Sequence, residues 1–245
     1  MAEKPVFKRP EAMTDAVMHY CAGCGHGTLH RIVAEVIDEL GIREKTIGVA
    51  PVGCAVIAYD YWNFDVTEAA HGRTPAVATG IKRVHPDRIV FTYQGDGDLA
   101  AIGTSEIIHS ANRSENISVV FVNNGVYGMT GGQMAPTTTI GQRTATTKKG
   151  RSLARDGYPL KISEMLALLD GTTYIERTAT SSPKEILKTK KAIKKSFEIQ
   201  MKGGGFSMVE VLSTCPTYWG LSAVGSVERI EKELVKTYPL GVLKG

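Results

Sequence analysis

Gly95-Asp96-Gly97-Asp98 lies upstream of Asn123-Asn124-Gly125-Val126-Tyr127. An acidic residue in a glycine-tight turn, with an amide downstream, is what a Mg2+–diphosphate clamp needs. Mg2+ takes near-octahedral oxygen ligands and commonly bridges phosphate oxygens with one or two side chains. Asp96 would supply a carboxylate, Asn124 an amide oxygen and Val126 its backbone carbonyl. Gly95 and Gly97 let the backbone approach phosphates closely. A helix starting near Leu99 would aim its N-terminal N–H groups at the diphosphate. Either half alone reads as an ordinary turn. Together, each directly after an apolar strand, they read as a clamp. A calcium loop of the EF-hand type is excluded because the terminal bidentate Glu is missing.

The four cysteines are the second set. Cys21 and Cys24 are spaced C-x-x-C; Cys54 and Cys215 stand alone. The spacing leaves a redox pair, half a zinc knuckle or one iron–sulfur cluster open, with Cys54 a plain core residue in the first two. A zinc knuckle usually shows two C-x-x-C pairs. A thioredoxin-like pair belongs where a strand meets a helix, whereas this pair precedes the first predicted strand. Pro216 after Cys215 suits a cluster cysteine.

Several other residues carry two readings. His26 is either a helix-start residue or a hydrogen-bond donor near the cofactor. Asp98 reads better as an N-cap of the following helix than as a supporting acid. Thr130 to Gln133 read as a cofactor or substrate contact rather than a bare loop tip. The lysines at 184, 188, 190, 191, 194 and 195 read as a solvated face, with docking of an acidic ferredoxin the weaker alternative. Trp62 and Trp219 carry no assignable role.

These groups need a scaffold. Residues 1–19 read as an extended arm before the glycine-rich loop 21–27. Leu29, Ile32, Val33, Val36, Ile37 and Leu40 form one helical stripe, closed by Gly41. Buried apolar strands are predicted over 46–52, 88–93 and 117–122, and the last two strands over 172–176 and 206–212. Helices are predicted over 75–84, 99–112 and 184–202, and residues 125–160 as a long functional loop. Buried strands alternating with helices predict an α/β, doubly wound, mostly parallel sheet. Ligands gather at the C-terminal strand ends of such sheets. Cys54, Gly95–Asp98 and Asn123–Tyr127 all follow strands directly, so they converge on one edge.

Composition sets outer bounds. The chain has 245 residues, 42% of them hydrophobic and 22% charged, with a net charge of +4. That fits one domain with a fully buried core. It does not argue for nucleic acid. Met1 to Pro10 is polar with no apolar region behind it, and no run approaches a membrane span. A cytoplasmic location is expected, where cysteines serve as ligands more often than as disulfides.

The chain resembles the β subunits of 2-oxoacid:ferredoxin oxidoreductases from Tyr20 to about Tyr218. The resemblance rests on Gly95-Asp96-Gly97 with Asn123-Asn124, on Tyr127-Gly128-Met129-Thr130-Gly131-Gly132-Gln133, and on Cys21-Ala22-Gly23-Cys24-Gly25-His26-Gly27. It implies a thiamine-diphosphate (pyrophosphate-domain) fold over 1–245, with a cluster-binding arm at 1–27 and a tail from about 216 to 245. It implies Mg2+ on Asp96, Asn124 and the Val126 carbonyl. Cofactor contacts are implied at Gly53, Cys54, Gly95, Gly97, Asp98, Asn123, Gly128, Met129 and Thr130. His71-Gly72-Arg73 matches a similar stretch of the family, so His71 is expected to face the diphosphate. The catalytic candidates are His71 and Thr130, the cofactor carrying the chemistry. One 4Fe–4S cluster is implied on Cys21, Cys24, Cys54 and Cys215.

The implied activity is oxidative decarboxylation of a 2-oxoacid to acyl-CoA and CO2, with electrons passed to ferredoxin. The substrate is expected to be 2-oxoglutarate or the branched-chain 2-oxoisovalerate rather than pyruvate. The coenzyme A site comes from the resemblance alone. The Glu that activates thiamine sits on a pyrimidine-binding domain for which this chain has no room. An α subunit, often with γ and δ chains, is therefore expected to complete the site. Competing expectations are a non-redox thiamine-dependent 2-oxoacid decarboxylase, which needs no cysteine quartet, and a scaffold whose four cysteines hold a structural zinc ion.

Overall fold

The structure, a computed structural model, describes residues 8–245, so the first seven residues of the predicted arm lie outside it. Continuous apolar runs such as Ile89-Val90-Phe91 make strands that must be covered on both faces. They build β1 (Thr46–Ala50), β2 (Asp65–Glu68), β3 (Ile89–Gly95) and β4 (Ser118–Asn123). A separate antiparallel hairpin follows, formed by β5 (Val126–Tyr127) and β6 (Gln133–Met134). The chain then adds β7 (Thr172–Ala179), β8 (Phe206–Leu212) and β9 (Gly241–Lys244). The main sheet runs β2-β1-β3-β4-β8-β7-β9. Its pairings are parallel except for β9, which lies antiparallel on β7.

The main helices among the described residues are α1 (Gly25–Leu40), α2 (Thr74–Val84), α3 (Thr104–Asn112), α4 (Leu153–Asp156), α5 (Ile162–Ala167), α6 (Pro183–Met201), α7 (Pro216–Trp219) and α8 (Ala223–Arg229). In α1 the predicted stripe from Leu29 to Ile37 is buried, and Gly41 ends the helix in the left-handed region at φ 63°. Side chains alternate across the strands. Phe91, Tyr93, Val120 and Val122 face the layer with α1 and α6. Val90, Val119 and Phe121 face the layer with α2, α3 and α5. Each fully buried large apolar side chain contributes about 1.5–3 kcal/mol. The doubly wound sheet read from the sequence is the sheet observed.

The structure departs from these expectations at five places. β2 is polar and mostly exposed, an edge strand without an apolar run to announce it. The helix expected over 99–112 opens as a π-helical turn, Asp98–Ile102, before α3 begins; such turns collect at functional sites. The 125–160 segment is irregular but tied down. Arg151 donates to the carbonyls of Ala135, Pro136, Thr138 and Tyr158 among others. The expected tail beyond 216 folds into α7, α8, a π-helical stretch (Ile230–Leu234) and β9. The lysines of α6 are also less free than a solvated face implies. Lys190 pairs with Glu35 and Glu39, and Lys194 with Glu39, joining α6 to α1.

Candidate functional site

The turns after β1, β3, β4 and β8 meet at the C-terminal edge of the sheet, where open α/β sheets bind ligands. Two cavities adjoin there. The first encloses ≈ 130 Å³. It is lined by Gly53 and Cys54 after β1, by His71, by Gly95–Asp98 after β3, and by Asn124, Val126 and Gly128–Thr130 after β4. The second encloses ≈ 200 Å³ and is lined by Cys21, Cys24, Cys54 and Cys215, with Tyr20 and the start of α7. Cys54, Asn124, Gly128 and Met129 line both.

Asp96 is buried, and its carboxylate reaches across to the turn that carries Asn124. Oδ1 accepts from Gly97 N at 2.8 Å; Oδ2 accepts from Gly125 N at 2.7 Å and from Thr137 Oγ1 at 2.6 Å. Burial pushes the carboxyl up to about 6 against the pull of these hydrogen bonds. A cation at this point would favour the ionised form. Asn124 Oδ1 accepts from Val126 N at 3.1 Å. Asp96 and Asn124 thus offer this cavity oxygen atoms, the kind of ligand Mg2+ takes.

Two glycines make the close approach possible. A Cβ on Gly97 would lie 2.2 Å from Cε1 of Tyr127, and one on Gly128 would lie 2.8 Å from Cys54 Sγ. We expect Gly97→Ala to push the Tyr127 ring aside and weaken binding of Mg2+ with thiamine diphosphate by about tenfold or more. A second change, Tyr127→Ala, should recover part of that loss, because it removes the clashing ring. Titration calorimetry of both variants checks this, and unchanged affinity in Gly97→Ala refutes it.

Asp98 does not cap a helix. Its carboxylate accepts from His71 Nδ1 at 2.7 Å, Gly72 N at 2.9 Å, Gln94 Nε2 at 2.7 Å and Thr74 Oγ1 at 3.2 Å. The backbone turns into a π-helical loop there, so the side chain points back under the His71 turn instead of along a helix start. With Nδ1–H donated to Asp98, a neutral His71 ring keeps Nε2 as its acceptor. Asn123 does not line either cavity. It shares the Phe121 face of β4, and its Nδ2 donates inward to Glu210 Oε1 at 2.8 Å. Glu210 also accepts from Arg177 Nε at 2.7 Å and from Ser163 Oγ. Thr130 lines the first cavity, with its Oγ1 donating to Gln133 Oε1 at 2.7 Å.

His26 is buried, with Nδ1 2.8 Å from the Tyr93 hydroxyl and its ring stacked on Tyr20 at 4.9 Å. Burial pulls it down to about 4, so the ring is neutral. The four cysteines are free thiols. Burial pushes Cys54 up to about 11 and Cys215 up to about 12. Such thiols are poor nucleophiles. They become thiolates when a metal displaces their protons. Among the described residues, no three His, Cys, Asp or Glu side chains sit close enough to hold one ion; the cysteines surround a volume instead.

Sequence reasoning missed Thr137, Tyr20 and Trp219. Thr137 lies in a threonine-rich loop with no periodicity, and only the fold brings it to Asp96. Tyr20 is held by His30 Nε2 at 2.8 Å, which anchors the backbone next to Cys21. Trp219 donates from Nε1 to the Asn124 carbonyl at 3.0 Å.

Residues 51–211 match the thiamine pyrophosphate enzyme family, in its C-terminal TPP-binding domain. The ketoisovalerate oxidoreductase subunit VorA of Methanothermobacter thermautotrophicus is 49% identical over 235 residues, covering 96% of this chain and 49% of that protein. The chain thus spans about half the length of that relative. The 2-oxoglutarate synthase subunit KorB of Methanocaldococcus jannaschii is 40% identical over 202 residues, 82% of this chain and 70% of that one. Among solved structures, a 2-oxoglutarate:ferredoxin oxidoreductase from Magnetococcus marinus aligns with a TM-score of 0.76 at 28% identity, over 89% of this chain and 71% of that one.

Proposed function

The chain belongs to the β subunits of 2-oxoacid:ferredoxin oxidoreductases, and from that premise we propose that it holds thiamine diphosphate with Mg2+ in the first cavity and a 4Fe–4S cluster in the second. The observation that carries this reading is the adjacency of the two cavities, which share Cys54, Asn124, Gly128 and Met129. Asp96, Asn124 and the Val126 carbonyl hold the metal. Gly97 and Gly128 leave room for the diphosphate. Asp98 orients His71 towards it, and Thr130 borders the substrate side. Cys21, Cys24, Cys54 and Cys215 ligate the cluster.

When bound, thiamine diphosphate supplies the electron sink that lets CO2 leave a 2-oxoacid, and the cluster supplies one-electron transfer. The protein's share is to position, to exclude water and to keep the two groups adjacent. The overall reaction is oxidative decarboxylation to acyl-CoA with electrons passed to ferredoxin. Relatives named for ketoisovalerate and 2-oxoglutarate favour a branched-chain 2-oxoacid or 2-oxoglutarate as substrate. An α subunit bearing the pyrimidine-binding domain, with or without γ and δ chains, completes the site. A cytoplasmic location is part of the same reading. No helix among the described residues is long and apolar enough to cross a membrane.

The test is anaerobic purification followed by iron, sulfide, magnesium and thiamine quantitation. Equal iron and sulfide with bound thiamine diphosphate is expected. Cys215→Ser should lose most of the cluster's visible absorbance. A colourless protein holding zinc and no thiamine overturns the proposal.

A further inference from the structure

One side chain joins the two cavities. Cys215 opens α7, and Trp219 closes it, its backbone N–H donating to the Cys215 carbonyl at 3.0 Å. The indole Nε1–H of Trp219 donates to the carbonyl of Asn124 at 3.0 Å. The N–H of that same peptide group, on Gly125, donates to Asp96 Oδ2 at 2.7 Å. A single peptide group therefore receives a hydrogen bond from the Cys215 segment and delivers one to the candidate metal ligand. Hydrogen bonds in such series polarise one another.

The indole is also clamped. The Arg229 guanidinium lies 4.5 Å from the ring centroid and pairs with Glu233 at 3.2 Å. Tyr218 presses on the other side of the turn; a Cβ on Gly132 would lie 2.4 Å from its Cδ1. The short α7 is thus fixed against the loop that follows Asn124 at two points.

We propose that Trp219 is a positioning residue that couples the two cavities, so that filling the cysteine cavity strengthens binding of Mg2+ and thiamine diphosphate in its neighbour. The inference rests on the proposed function above. Ligation of Cys215 fixes α7. Through Trp219 that fixes the Asn124–Gly125 peptide and the Asp96 carboxylate, leaving less to order when the metal binds. Linkage makes the effect reciprocal.

The experiment uses the assembly that the full chain forms on anaerobic purification. Thiamine diphosphate affinity at saturating Mg2+ is measured with the cluster intact and after its removal, for wild type and for Trp219→Phe. Phe keeps a ring under Arg229 and removes the N–H together with part of the indole's bulk. The wild type should bind at least about fivefold more tightly with the cluster than without; in Trp219→Phe that ratio should fall towards one. Emission gives a second readout, taken as the difference between wild type and Trp219→Phe, so that Trp62 and any tryptophan of a partner subunit cancel. That difference should respond to Mg2+–thiamine diphosphate. A ratio unchanged by Trp219→Phe, or no ratio in the wild type, overturns the coupling alone. If Trp219→Phe does not fold, the wild-type ratio decides, and its absence overturns the coupling. A protein that retains no iron, or binds no thiamine diphosphate, overturns the function and the coupling with it.

Discussion

Asp96→Asn weakens retention of thiamine diphosphate with Mg2+ by at least about 100-fold, since even outer-shell changes around a metal cost 10–100-fold, while the cofactor-free protein keeps or gains thermal stability. The two halves of this expectation have one cause. Asp96 is buried, and its burial raises the carboxyl to about 6. A charge so placed is costly until a cation neutralises it. Asn sheds the charge, and its one oxygen can accept from Gly125 N and Thr137 Oγ1, while the bond from Gly97 N is lost, which offsets part of the gain. Such trade-offs between stability and function are usual at binding sites. Calorimetric titration and a melting curve of the cofactor-free variant test both halves. Undiminished affinity sinks the metal assignment; a large drop in melting temperature says the carboxylate is structural instead.

Arg177→Met lowers stability by about 3–5 kcal/mol, and the melting temperature by about 10 °C, as expected for breaking a buried ion pair in a chain of this size. The Arg177 and Glu210 side chains are 0% and 1% exposed. Glu210 answers Arg177, Asn123 and Ser163 at once. Arg177 in turn reaches Glu164 at 2.6 Å. Removing the guanidinium leaves the Glu210 carboxyl buried without its cation, beside β4 and the Asn123 side chain it holds. The double change Arg177→Met with Glu210→Gln should recover part of the loss, because the orphaned charge is gone. Glu210→Gln alone should cost less than Arg177→Met, since Arg177 keeps Glu164. A melting point within about 2 °C of wild type in Arg177→Met contradicts this reading.

The Arg177 network also shows where sequence reasoning stops. Asn123 and Asn124 are chemically identical neighbours, and the motif names both. Strand geometry sends them to opposite duties: Asn124 borders both cavities, and Asn123 faces inward to Glu210. Asp98 likewise carried the composition of a cap. A local π-helical turn redirects it to His71, Gly72 and Gln94. Neither fact is written in spacing. Both depend on which atoms, remote in sequence, arrive beside the side chain.

Local chemistry, by contrast, was legible. The strands β1, β3, β4 and β8 announced themselves because burial on both faces demands mostly apolar runs. The α1 stripe and its Gly41 end followed from helical periodicity. The turn residues, Asp96 and Asn124, and the thiols at 21, 24, 54 and 215 stood out as candidates by residue type and glycine-bounded spacing, and all of them line the two cavities. Their convergence followed from one rule about strand ends.

The amino-acid order by itself thus determined the sheet and its two helical layers, since these depend on periodicities of two and 3.6 residues, and it named the candidate ligating groups by their residue types. Only the tertiary structure decided that Thr137 and Gly125 grip Asp96, that Trp219 bridges Cys215 to Asn124, and that the polar β2 and the short β9 close the sheet's edges. Those outcomes are set by contacts between segments far apart along the chain, whose energies reside in mutual packing rather than in either segment alone.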